Sequence, residues 1–105
     1  MGWYYKNYTA TLRGFDTFFG SSGNTKDYWQ HTSPKYKDCS SAGTKDFIVA
    51  EDGELKLAPS HVFGEYDAPL LAARAMSIVR GHDLSQDLYI YLAFHNVHDP
   101  QEVSR

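Results

Sequence analysis

Leu88, Tyr89, Ile90, Tyr91, Leu92, Ala93 and Phe94 form an unbroken apolar run that leads into His95-Asn96-Val97-His98-Asp99-Pro100. An apolar run of this length without polar alternation reads as a strand buried on both faces, the kind found in parallel α/β sheets. The Asp-Pro pair after it is a turn signal. Ligands of such sheets sit outside the carboxyl ends of the strands, which is where His95 and His98 would fall. His98 is therefore the first candidate for a functional side chain.

A strand buried on both faces needs neighbouring strands and covering helices, and the rest of the chain supplies few. Phe47-Ile48-Val49-Ala50-Glu51 and Glu54-Leu55-Lys56-Leu57 flank Asp52-Gly53. A two-residue Asp-Gly link between such runs predicts a hairpin over 47–57. Asp67 reads as a helix N-cap with Pro69 in the first turn, where its missing N–H costs little. The helix should run to residue 80, with Leu71, Ala75, Ile78 and Val79 on one apolar face. Gly81 is the expected stop, and Arg80 suits the negative end of the helix dipole. Residues 12–20 are aromatic and bracketed by Gly14 and Gly20, which predicts a short extended segment with tight turns. Residues 20–46 read as loop, packed down by the aromatic island Asp27-Tyr28-Trp29. One hairpin, one helix and one buried strand do not complete a sheet, so the chain is expected to be a segment of a larger α/β domain.

Composition removes several function classes. The 105 residues carry a net charge of −3, with no basic stripe for nucleic acid. The apolar runs fall far short of the roughly 20 residues that cross a bilayer. Met1-Gly2-Trp3-Tyr4-Tyr5-Lys6 has no basic and then apolar region of a secretory signal, and Lys6 stands where a myristoylation motif needs Ser or Thr. Cys39 is the single cysteine, so neither an internal disulfide nor a cysteine-based zinc site is available. Asn7-Tyr8-Thr9 is an N-glycosylation acceptor pattern, with Asn7 as the possible modified residue.

Taken in order, several elements resemble the type I sulfatases, and within them the arylsulfatase B-like enzymes. They are Arg13-Gly14-Phe15-Asp16-Thr17-Phe18-Phe19-Gly20, Asp27-Tyr28-Trp29 with His31, Asp52-Gly53, Arg74-Ala75, and the run 88–94 with His98 and Pro100. The resemblance implies an alkaline-phosphatase-like α/β fold, of which residues 1–105 would be a partial, interior segment of the N-terminal catalytic domain. It also implies hydrolysis of sulfate esters of small molecules or glycans, calcium at the active site, and lysosomal or secreted residence. His98 matches the family histidine that contacts the sulfate ester near the leaving-group oxygen, in a catalytic and substrate-binding role. His95 falls where the family varies. An imidazole that accepts a proton and returns it near neutral pH suits sulfate binding or protonation of the departing alkoxide.

The departures from the family pattern are equally informative. Members draw their nucleophile from a cysteine in C-x-P-S-R, oxidised to formylglycine, whereas Cys39 sits in Cys39-Ser40-Ser41-Ala42-Gly43. The aspartate and asparagine calcium ligands of the family have no counterpart here, and its G-K-W-H-L-G segment would lie just before Gly2. Truncation accounts for every absence together and predicts no measurable sulfatase activity from these residues alone. Asp16 and Asp27 are read as loop supports rather than calcium ligands. His31, His61 and His82 are read as exposed or capping, and Lys35-Tyr36-Lys37 as a solvated loop.

Two readings of other classes compete. A non-catalytic binding module or degenerate sulfatase remnant would use the Asp-Gly hairpin, the tyrosines and the Ser/Gly-rich loop as a ligand surface. A transition-metal site would combine His95, His98 and Asp99, but needs a sharp backbone turn and a further ligand from elsewhere.

Overall fold

The computed structural model describes residues 6–23, 27–32, 45–98 and 101–104. They form a small α/β unit with an antiparallel sheet of three strands, β1 (Thr17–Gly20), β2 (Ile48–Glu51) and β3 (Glu54–Leu57), in that order, and one helix, α1 (Asp67–Gly81). Single 3-10 turns at Lys6–Tyr8, Ala10–Arg13 and Ser60–Val62 join them.

The hairpin forms where the Asp-Gly link predicted it. Glu51 faces Glu54 and Ile48 faces Leu57, so Asp52 and Gly53 alone make the turn. Both have positive φ, 51° and 77°, the conformation that matches a two-residue turn to the twist of its strands. A further backbone bond, Ala58 N–H to the Phe47 carbonyl at 2.8 Å, extends the ladder by one residue. β1 pairs on the other edge of β2, with Phe19 opposite Val49. The extended segment expected over 12–20 is confined to β1, because Ala10–Arg13 winds into a 3-10 turn that ends at Gly14, left-handed at φ 101°.

The core lies between one face of this sheet and the first two turns of α1. Phe47, Ala58, Val62 and Leu71 are buried, and Phe19, Val49, Phe63 and Leu70 pack around them. Phe19 meets Phe47 edge to face with ring centres 5.0 Å apart, a favourable arrangement for two aromatic quadrupoles. Arg74 reaches from α1 to the Glu51 carboxylate, tying the helix to the end of β2.

Two features of the expected helix are corrected. Tyr66, not Asp67, occupies the extended N-cap position, and Asp67 is the first helical residue with its side chain fully buried. At the other end Gly81 is still helical, and the chain leaves through His82 in an extended conformation. The apolar face is covered only at its start. Leu71 is buried while Val79 is 55% exposed, because the sheet is too short to reach the last turns.

The expected buried strand at 88–94 is corrected more strongly. Those residues pair with no strand among the described residues, and Tyr89 and Phe94 are 73% and 46% exposed. The reason is the one that limits any strand: burial on two faces and a ladder on two edges come from neighbours. The only described tie of the run's aromatic rings is Tyr89 against Phe15, at 5.9 Å between centres. No helix among the described residues is long and apolar enough to cross a membrane.

Candidate functional site

Asp27 starts the site. Its Oδ1 accepts the Trp29 and Gln30 N–H groups at 2.8 and 2.6 Å, an Asx-type turn that a short carboxylate makes with backbone two and three residues on. The His31 N–H returns to the Asp27 carbonyl at 3.0 Å. This fixed turn supports the loop as the sequence predicted, and it pushes Tyr28 inward until it is 2% exposed. Tyr66 packs against both aromatic members, with ring centres 5.9 Å from Tyr28 and 5.3 Å from Trp29.

On this platform sits the turn that carries His98. The His98 N–H donates to the His95 carbonyl at 2.9 Å, closing a single turn. The Tyr28 hydroxyl lies 3.1 Å from the His95 carbonyl oxygen and 2.5 Å from that of His98. Its one proton serves both acceptors. The Asn96 side-chain amide donates to the Tyr66 hydroxyl at 2.9 Å, and that hydroxyl donates to the Glu102 carbonyl at 2.9 Å. The Glu102 carboxylate accepts the Tyr28 N–H at 2.5 Å. Residues 95–98 and Glu102 are thus tied to the platform by polar bonds, and His98 is left exposed on the turn.

His95 is held by its ring as well as its backbone. Its imidazole stacks on Tyr28, with centres 5.8 Å apart and planes 24° off parallel. Its Nδ1 meets Oδ2 of Asp67, so the proton on that side belongs on Nδ1 when the carboxylate is ionised. The Asp67 N–H donates to the Tyr28 carbonyl at 3.0 Å, which joins the helix start to the same platform. This pair was not visible in the sequence, where His95 stood as a strand-end residue, a variable family position and a candidate metal ligand, and Asp67 as a cap.

The other histidines divide. His31, expected at the surface or as a cap, is corrected: it is 2% exposed, its Nε2 lies 3.2 Å from the Val62 carbonyl and its ring packs 4.4 Å from Phe47. Burial disfavours the charged ring and lowers its pKa below the ordinary histidine value, against weaker opposing effects of the Val62 carbonyl and the Asp67 carboxylate. His31 is a core residue, and its burial favours the uncharged ring. His61 is exposed, and His82 hydrogen-bonds the Gln86 carbonyl at 2.7 Å as a local cap. Asn7 is exposed in the first 3-10 turn, next to a Thr9 that is 1% exposed.

No group of three or more His, Cys, Asp or Glu side chains that could hold a metal ion occurs among the described residues. For a transition metal, the His95 nitrogen nearest Asp67 is already committed, and Asp99 lies outside the described residues. The same holds for Cys39, for Lys35-Tyr36-Lys37 and for Gly2. The described residues do not by themselves fit a calcium site. Trp29, Tyr66, Pro69, Leu70 and Ala73 line an open groove beside the platform, with Glu65 and Ser104. No cationic side chain is among them, so this groove is a poor receptor for a sulfate anion, and His98 remains the better candidate.

The sulfatase family model matches residues 1–105. Arylsulfatase J of Mus musculus is 35% identical over 100 residues, covering 95% of this chain and 16% of that protein. The chain thus spans a small part of the length of this curated relative. No solved structure gives a significant match. With the family model matching residues 1–105 and the relative 35% identical over 95% of them, the chain belongs to the sulfatase family.

Proposed function

We propose that this chain forms one wall of the active site of a sulfuric ester hydrolase of arylsulfatase type, with His98 as its reacting side chain. The observation that carries the reading is the turn at 95–98: Tyr28 bonds both of its carbonyl oxygens, and His98 is exposed on it. Such fixation matters because a catalytic imidazole must be held within hydrogen-bond reach of the proton it moves. As the sulfur–oxygen bond breaks, a protonated His98 would donate its proton to the departing oxygen and so avoid release of a strongly basic alkoxide. In the neutral form it would accept a bond from water or from the released alcohol.

The formylglycine nucleophile and its C-x-P-S-R segment belong to parts of a longer enzyme that this chain does not contain, as do the calcium ligands. The arylsulfatase B-like motif order points to sulfated carbohydrates as substrates. It also points to a lysosomal or secreted glycoprotein, with Asn7 as a candidate attachment site. The test is hydrolysis of aryl and carbohydrate sulfate esters by the complete enzyme. For the carbohydrate ester, whose leaving oxygen needs a proton, His98→Ala should lower kcat by about 10²- to 10⁴-fold, the range typical of general acid–base groups. Unchanged turnover in that variant refutes the assignment.

The sequence around Cys39, which lacks the proline and arginine of the nucleophile motif, favours a second reading, a non-catalytic binding module or degenerate remnant. A reading frame that opens and closes with these residues, together with binding of sulfated glycans without turnover, would support it.

A further inference from the structure

Asp67 is placed at a cost that its helix does not explain. Its side chain is fully buried, and a buried carboxylate is strongly unfavourable unless paired. It caps no backbone group: Oδ2 meets His95 Nδ1, and Oδ1 has no partner. The helix start would be served by an exposed Ser or Asp one residue earlier, where Tyr66 stands instead. What the buried carboxylate does hold is the imidazole of His95. That ring lies flat on Tyr28, whose hydroxyl bonds the carbonyl oxygens at both ends of the turn.

We propose that Asp67 and His95 are a positioning pair that sets the orientation of the turn presenting His98 to the departing oxygen of the ester. The inference rests on the reading of His98 as the reacting side chain. Neither Asp67 nor His95 touches substrate in this scheme. Asp67 fixes the His95 ring, the ring fixes its own backbone against Tyr28, and the bond from the His98 N–H to the His95 carbonyl passes that constraint on. A displacement of about 1 Å at a reacting group is enough to slow a reaction by on the order of 100-fold, so a residue two contacts away can control the rate.

The experiment compares two substrates in the full enzyme: 4-nitrophenyl sulfate, whose leaving group departs as a stable anion, and an alkyl or sugar sulfate, whose leaving oxygen needs a proton. His95→Ala and Asp67→Ala should each lower kcat for the unactivated ester by roughly tenfold, part of what a general acid contributes. Turnover of 4-nitrophenyl sulfate and KM for both esters should stay within about twofold, since the nucleophile and sulfate pocket are untouched. His95→Gln, whose side-chain amide can donate to the same carboxylate, should recover most of the loss and covers the case in which Asp67→Ala does not fold. Equal losses on both esters would mean a merely structural role and overturn the proposal, as would His95→Gln no better than His95→Ala. His98→Ala separates the two levels. If it slows the unactivated ester and the His95 variants do not, only the positioning role fails; if it changes nothing, the reading of His98 fails and the positioning role with it.

Discussion

The hairpin with its helix, residues 47–81, and the segment 88–98 with Glu102 are both shaped by apolar and polar side chains, yet they are held in opposite ways. In the first, strands pair within a few residues of each other, and Phe47, Val62 and Leu71 close a core over them. In the second, the apolar side chains of 88–94 are largely exposed, and what fixes the chain is a set of polar bonds to Tyr28, Tyr66 and Asp67, residues 28 to 74 positions away. The half that builds its own core carries no candidate reacting side chain. The half that carries His98 depends on the first for its geometry.

That contrast can be broken at its strongest point in the core. Phe47→Ala should destabilise the folded unit by about 3–5 kcal/mol, the cost of emptying a fully buried aromatic site, read as a shift in a urea unfolding midpoint. A smaller shift would mean that the sheet and helix are not the scaffold. Tyr28→Phe acts on the polar half. It keeps the ring packing and removes the shared hydroxyl, so stability should fall by about 1–3 kcal/mol from the two carbonyls left without it, while the hairpin's amide exchange stays unchanged. Gly53→Ala addresses the local logic of the turn. A side chain at positive φ costs about 1–2 kcal/mol, and the loss should appear in the hairpin and leave the 95–98 turn intact.

The smallest signal is a pH dependence from His31, which packs against Phe47 and Phe63 in the core. Its pKa is lowered in the folded state by burial, so the unfolded chain binds the proton more readily. Its stabilising contribution is therefore complete above the ordinary histidine value near 6.5. It is lost as pH falls through that value toward the lowered folded one. His31→Phe should flatten this part of the stability–pH profile, measured as thermal midpoints across mildly acidic pH.

How much was legible followed from how far each interaction reaches along the chain. The Asp52-Gly53 turn, the aromatic island at 27–29 and the helix with Pro69 in its first turn are local, and their residues specify them directly. The burial of His31 was not legible, because its neighbours Phe47 and Val62 come from a distant hairpin and turn and leave no periodic mark on the residues around it. The Asp67–His95 pair spans 28 positions, and each member alone has an ordinary local reading. The apolar run at 88–94 was read as a buried strand on composition, which reports what a segment would bury given partners and not whether the partners are present.

By itself the amino-acid sequence determined the hairpin, the helix, the position of His98 after an apolar run and, through the order of its motifs, the sulfatase family. These rest on short-range backbone preferences and on residue order. Only the tertiary structure decided that Asp67 is buried against His95, that Tyr28 binds the ends of the His98 turn and that His31 is a core residue. Each requires two segments remote in sequence to meet, and the energy of a buried carboxylate or hydroxyl is set by the partner it finds there.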